Sequence, residues 1–222
     1  KKKKNIEVVW ETTPRQEPEQ IDEMDLDYDF NFLMVSQFGT RKNLINALQW
    51  WVEEFVDQEV GLVLKTNIAS NSIMDWEHLQ TRVSNILSNY SDRKCKVYLL
   101  HGDLSSGQMT SLYTNPKIKA MVSIAHGEGF GLPLFEAARE ALPIVTVGWS
   151  GQIDFLNHNG KNYFQEVDYT LQPVQVEAVW DGVIDKTSMW AFANQGSYKM
   201  ALRKTLKNWS KCKEQAVELA AL

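Results

Sequence analysis

Three glycines and two glutamates fall within one short run, His126-Gly127-Glu128-Gly129-Phe130-Gly131-Leu132-Pro133-Leu134-Phe135-Glu136. Gly127, Gly129 and Gly131 permit backbone angles and close approaches that other residues forbid. Pro133 suits the first turn of a helix, where its missing N–H costs nothing. A glycine-rich turn entering a helix leaves backbone N–H groups free, which makes an anion site that fits a diphosphate. Carboxylates repel phosphate, so Glu128 and Glu136 are suited to neutral hydroxyls. Each can accept hydrogen bonds from two adjacent hydroxyls, as in a ribose or a hexose. An anion cradle flanked by two diol readers implies a nucleotide sugar as ligand. The bland alternative is a tight turn with a glutamate that favours the helix dipole. The seven residues between the two glutamates, with Gly-Phe-Gly among them, weigh against it.

Other charged residues divide between chemistry and scaffolding. Arg41 and Lys42 stand at the start of an apolar-periodic segment, where the helix dipole disfavours cations. A nearby anionic ligand explains them better than a solvated pair does. Asp25-Leu26-Asp27-Tyr28-Asp29 offers the Asp-x-Asp pattern of metal-dependent transferases. It precedes the first core strand instead of ending one. It also fails as a calcium loop, because Phe30 stands at the glycine position and Ser36 at the final glutamate position. A solvated linker is the better reading. The four histidines, His78, His101, His126 and His158, show no metal-ligand spacing, so no metal site is expected.

Elements that could position the glycine loop are written in the hydrophobic pattern. Short apolar runs at Phe30–Ser36, Gly61–Thr66, Val97–Leu100, Ala120–Ile124 and Pro143–Val147 read as strands buried on both faces. Between them, helical spacing is found at Asn43–Phe55 (Leu44, Ala47, Leu48, Trp51, Phe55), Asp75–Tyr90, Gly107–Tyr113 and Pro133–Ala141. Trp51 and Phe55 are expected in the core. This alternation predicts an α/β fold, a doubly wound, mostly parallel, Rossmann-like sheet in a single domain, with ligands at the carboxyl ends of its strands. After Gly151 the pattern weakens, and a long helix is expected over Ser197–Ala220. Residues 1–29 read as an N-terminal arm, strand-like at Ile6–Trp10, followed by an acidic linker. Residues 30–222 read as the domain.

Composition narrows the partners. Apolar residues make up 44% of 222 residues, enough for one sizeable core. The net charge of −5 argues against a nucleic-acid binder, and Lys1–Lys4 read as a solvated arm. Cys95 and Cys212 form no paired motif, so reduced thiols and a cytoplasmic setting are expected. No apolar run is long enough for a transmembrane segment.

Glu128-Gly129-Phe130-Gly131-Leu132-Pro133 with Glu136 resembles the E-x7-E signature of retaining glycosyltransferases of the GT-B fold, the glycosyl transferase group 1 type. The resemblance runs from about residue 30 to the end. Phe32–Val35 with Arg41-Lys42-Asn43 is similar to that family's first strand and R-K-N helix start, and Leu62–Thr66 to its second strand. Gly102-Asp103-Leu104, then Leu112-Tyr113, is similar to its base-contact loop and next helix. Gly148–Phe155 and Val167-Asp168-Tyr169 also look familial. The implied fold is the C-terminal, donor-binding half of a GT-B enzyme.

The resemblance also implies roles. Glu136 would bind the nucleotide ribose and Glu128 the transferred sugar. The backbone of Gly129, Phe130, Gly131 and Leu132 would hold diphosphate and sugar. Lys42, or alternatively Arg41, would neutralise the diphosphate. Gly102, Asp103 and Leu104 would frame the base. Gln37 stands where many members carry an arginine, which leaves one phosphate contact open. Two readings remain for His126, a sugar or acceptor contact and a hydrogen-bonded loop histidine. Lys65 likewise reads as a ligand contact or as ordinary snorkelling. His101 and Asp154 read as structural, Asp154 as a helix cap. The implied activity is retaining glycosyl transfer without metal or cofactor, from a nucleotide-diphosphate sugar to a glycan, lipid or protein acceptor. Glu128 and Lys42 are the catalytic candidates. An acceptor-binding domain, in cis or from a partner subunit, is expected to complete the site. A nucleotide-sugar binding module without transfer activity is the nearest alternative, and an Asp-x-Asp metal-dependent transferase a more distant one.

Overall fold

The computed structural model describes residues 12–21 and 24–222; Lys1–Lys4 and the strand-like Ile6–Trp10 lie outside them. Five parallel strands occur where the apolar runs predict them: β1 (Asn31–Val35), β2 (Gly61–Lys65), β3 (Lys96–Leu100), β4 (Ile118–Ser123) and β5 (Ile144–Val147). They alternate with α1 (Leu44–Phe55), α2 (Ile73–Leu87), α3 (Ser106–Thr114) and α4 (Leu132–Arg139). Beyond β5 come a one-turn helix α5 (Ile153–Leu156) and a two-residue ladder, β6 (Asn157–His158) with β7 (Lys161–Asn162). A sixth parallel strand, β8 (Gln165–Val167), then completes the sheet. Its order is β3-β2-β1-β4-β5-β8. The chain winds outward in both directions from the β1/β4 junction, so the loops leaving those two strands face each other across the crevice where such sheets bind ligands.

Alternation along the strands sorts the side chains. Phe32, Met34, Leu62, Leu64 and Val122 pack on the face covered by α1, α2 and α6 (Gln195–Lys207). Leu33, Val63, Met121 and Ile144 pack on the face covered by α3, α4 and α7 (Trp209–Ala220). Trp51 and Phe55 are fully buried, and Phe55 stacks on Phe32 at 5.4 Å.

Three features depart from the sequence pattern. The long C-terminal helix expected over Ser197–Ala220 is two helices, α6 and α7, broken at Asn208 (φ −118°, ψ 35°). Trp209 holds the break: its indole N–H donates to the Lys119 carbonyl at 2.9 Å, and the Lys119 ammonium lies over its ring. An antiparallel hairpin, β9 (Tyr169–Pro173) with β10 (Met189–Ala193), fills the region where no pattern was legible. The segment ahead of β1 also lies against the body. Leu26 is buried, the Asp27 carboxylate pairs with Lys96 at 2.9 Å, and Tyr28 donates to the Lys94 carbonyl at 2.7 Å. Asp25–Asp29 is therefore docked, not a solvated linker, because Leu26 supplies an apolar anchor within the acidic run. Among the described residues no helix is long and apolar enough to cross a membrane.

Candidate functional site

The loop from β1 to α1 carries Arg41 and Lys42 in a 3-10 turn, closed by Asn43 in the left-handed region (φ 53°). The Asn43 side chain donates to the Ile124 carbonyl at 3.2 Å, and the His126 N–H donates to the Arg41 carbonyl at 2.8 Å. These bonds join the β1 loop to the β4 loop across the crevice. Both cations then converge on one carboxylate. Lys42 Nζ is 2.6 Å from Glu128 Oε1, and Arg41 Nη1 is 3.0 Å from Glu128 Oε2 and 2.5 Å from the Gly127 carbonyl. The three charged groups proposed from sequence for the diphosphate and sugar thus form one cluster. In this state Glu128 is the counter-ion that relieves the cations at the helix start.

The glycine loop is held from a second side. Ser150, in the left-handed region (φ 87°), donates from Oγ to the Glu128 carbonyl at 2.7 Å. The same oxygen accepts from the Glu128 N–H at 3.0 Å. The Gly151 N–H also donates to the Glu128 carbonyl at 3.0 Å. Gly131 caps α4 at φ 91°, an angle that favours glycine. Among the described residues, the N–H groups of Gly129, Phe130, Gly131 and Leu132 have no protein acceptor. They stand at the N-terminus of α4, where an anion is electrostatically favoured.

Glu136 lies one turn into α4 and accepts from the Tyr113 hydroxyl at 2.9 Å. Burial, reinforced by that carboxylate, drives the Tyr113 phenol well above its ordinary value, so it remains a donor. The loop expected from the sequence to frame the base follows β3. Gly102 has φ 97°, and its carbonyl accepts from Lys65 Nζ at 2.5 Å; Leu104 packs into the core beneath and Asp103 is exposed. Burial lowers the Lys65 ammonium pKa, with Asp103 opposing. Lys65 is thereby committed to the loop backbone.

His126 is buried between the loop and the hairpin. Its Nδ1 lies 2.8 Å from the Ala191 carbonyl, its ring stacks on Trp190 (5.6 Å, 13°), and Phe192 is 4.2 Å away. Burial lowers its pKa against the pull of that carbonyl. The hairpin is thus part of the site's foundation, a part that the sequence pattern did not show.

Asp75 is a second unforeseen support. Its carboxylate accepts from the N–H groups of Ile68 (3.0 Å), Ala69 (2.6 Å) and Ser70 (2.9 Å), and His101 Nε2 lies 2.9 Å away. Those backbone donors, the Ile68 N–H first, hold its carboxyl well below the usual range. A depressed folded-state pKa stabilises above the unfolded value of about 3.9 and is lost as pH falls through the folded value. Asp75→Asn is therefore expected to lower the melting temperature at pH 7. The deficit should shrink in thermal unfolding below about pH 3.9. A deficit unchanged by acid would exclude the carboxylate as its source.

No protein-family model and no curated protein sequence matches this chain. Solved structures do. The catalytic domain of starch synthase IV from Arabidopsis thaliana, bound to ADP and acarbose, aligns over 90% of this chain and 36% of its own (TM-score 0.55, 11% identity). The E. coli trehalose-6-phosphate structure bound with UDP-2-fluoro glucose aligns over 86% and 40% (TM-score 0.57, 10% identity). The C-terminal domain of a glycosyl transferase group 1 family protein, LpcC, from Francisella tularensis aligns over 86% and 84% (TM-score 0.55, 12% identity). The chain therefore spans about two-fifths or less of the first two and most of the third. At such identities the likeness shows the fold: α/β, Rossmann-like, of the kind found in the C-terminal domain of GT-B glycosyltransferases.

Proposed function

We propose that this domain binds a nucleoside-diphosphate sugar and serves as the donor half of a retaining, metal-independent glycosyltransferase. One observation carries the reading. At the sheet's switch point, four backbone N–H groups without protein acceptors adjoin Arg41 and Lys42, with Glu128 and Glu136 at either end of the loop. Diphosphate on the N–H groups and the cations places the sugar beside Glu128 and the ribose beside Glu136. As the sugar–phosphate bond breaks, the cations and helix N-terminus stabilise the leaving diphosphate, which is the work a metal performs elsewhere. The likeness to GT-B C-terminal domains supports this assignment, as do the nucleotide ligands carried by two of the similar structures. The acceptor would be a glycan, lipid or protein held by a further domain or subunit.

The Asp-x-Asp alternative is poorly placed. Asp27 pairs with Lys96, the first residue of β3, at the amino end of the sheet and away from the carboxyl-end loops. Calorimetry with UDP, GDP, ADP and their sugars, with and without manganese, tests the proposal. Binding of at least one without manganese is expected. Glu136→Ala should weaken it about tenfold, the cost of a charge-assisted hydrogen-bond pair. No binding, or Glu136→Ala binding as tightly as the parent, overturns the reading. A strict manganese requirement favours the Asp-x-Asp alternative.

A further inference from the structure

Residues 13–20 run across α3 and α4 as a strap fastened at both ends. At one end Arg139 Nη1 donates to the Thr13 carbonyl (2.9 Å) and hydroxyl (2.8 Å), and Arg15 pairs with Glu140 at 3.0 Å. At the other, the Glu19 N–H donates to the Gly107 carbonyl at 3.2 Å, and the Ser105 hydroxyl donates to the Glu19 carboxylate at 2.5 Å. Ser111 donates to the Glu19 carbonyl, and the Gln108 amide donates to the Gln20 carbonyl at 3.2 Å. The fit is close, because a Cβ on Gly107 would sit 2.5 Å from the Glu19 side chain.

The strap covers a cavity of about 250 Å³, with Thr13, Pro14 and Gln16 on one wall and Met109, Leu132, Glu136 and Arg139 on the other. Ligand pockets run about 300–1,000 Å³, so this space suits part of a nucleotide. Glu136 Oε2 is taken by Tyr113, and among the described residues its Oε1 has no protein donor. The cavity therefore begins at Leu132, where the loop of unpartnered N–H groups ends, and contains the carboxylate suited to a diol. Met109, Leu132 and Pro14 give it apolar surface, and the Gln16 amide supplies both a donor and an acceptor.

We propose that the strap is a wall of the nucleoside subsite: the ribose on Glu136 and part of its base lie between residues 13–16 and the α3–α4 pair, and Arg139 is the positioning residue that pins the strap there. This rests on the donor reading of the same loop. Arg139 sits at the far end of α4 from the anion-binding loop and lines the same cavity, so it acts on the nucleoside side, by holding the strap, and not on the diphosphate.

Calorimetry on the full chain tests this, with UDP, GDP and ADP against inorganic pyrophosphate. Arg139→Gln, and separately the double variant Thr13→Ala with Gln16→Ala, should each weaken the preferred nucleoside diphosphate about tenfold. Pyrophosphate affinity should stay within about twofold. The double variant alters only strap side chains, so it remains informative if Arg139→Gln folds poorly. Unchanged nucleotide affinity in both variants overturns the strap while the donor reading stands. Tighter nucleotide binding also overturns it, since the strap then competes with the nucleoside. Equal loss of nucleotide and pyrophosphate does so too, by making the strap a general support. If the parent binds no nucleoside diphosphate, the donor reading itself fails.

Discussion

Gly151→Ala is expected to destabilise the domain by about 2–3 kcal/mol and to remove nucleoside-diphosphate binding from the measurable range. A Cβ at this position would lie 1.9 Å from the Gly129 carbonyl oxygen, 2.6 Å from its carbon and 3.0 Å from the Glu128 carbonyl. All three are backbone atoms, so no rotamer change relieves the clash. The two loops must separate, and the Gly151 N–H and Ser150 hydroxyl then lose the Glu128 carbonyl. The unpartnered N–H groups proposed for the diphosphate lie on the same loop and move with it. A displacement of about 1 Å at a positioning group can cost on the order of a hundredfold.

Gly129→Ala is the informative control. Its Cβ would meet nothing within 4 Å, so the fold should keep its melting temperature within about 2 °C. Weaker nucleotide binding in that variant reports a methyl standing where the ligand backbone approaches. Thermal unfolding and calorimetry on both variants separate the effects. A Gly151→Ala protein with parental stability and affinity would show that the loop–loop lock does not shape the site.

The contrast between these two glycines shows what a sequence can disclose. Gly127, Gly129 and Gly131 stand in a run whose spacing signals a helix N-terminus, and Gly131 caps α4 there. Gly151 is needed because of a carbonyl more than twenty positions earlier in the chain, and no local pattern encodes that contact. Strands β1, β2, β4 and β5 were legible because burial on both faces leaves continuous apolar runs; β3, a half-buried edge strand, was legible from its apolar Val97–Leu100. β8 was not: it has three residues, of which Glu166 is exposed. In the β9–β10 hairpin Leu171 and Met189 are exposed while Ala191, opposite Leu171, is buried, so its alternation gives no clean core face. Its contribution lies in backbone contacts of Ala191 with His126, which residue type does not announce. Arg41, Lys42 and Glu128 were each singled out as candidates from the sequence. Their mutual pairing was not, because it depends on the facing of two loops that the sheet order alone creates.

That pairing leads to the second large effect. A diphosphate that uses Arg41 and Lys42 shares them with Glu128, so Glu128 acts as an internal competitor for the anion site. Two opposite charges at about 4 Å attract by ~4 kcal/mol at an effective dielectric of 20. Arg41 is partly exposed, and solvent screening reduces its share. Half of one such interaction, ~2 kcal/mol, corresponds to about 30-fold in affinity. Glu128→Gln should therefore bind inorganic pyrophosphate about 30-fold more tightly than the parent. The gain should shrink as salt is raised, since added ions screen the freed cations. The variant should also melt lower in the absence of ligand, because Lys42 loses its carboxylate partner in a mostly buried setting. If Glu128 also holds the sugar, the variant gains affinity for a nucleoside diphosphate and loses preference for its sugar-bearing form. Unchanged or weaker pyrophosphate binding would mean that Arg41 and Lys42 do not receive the phosphates. The cluster would then be a structural ion pair joining the β1 and β4 loops.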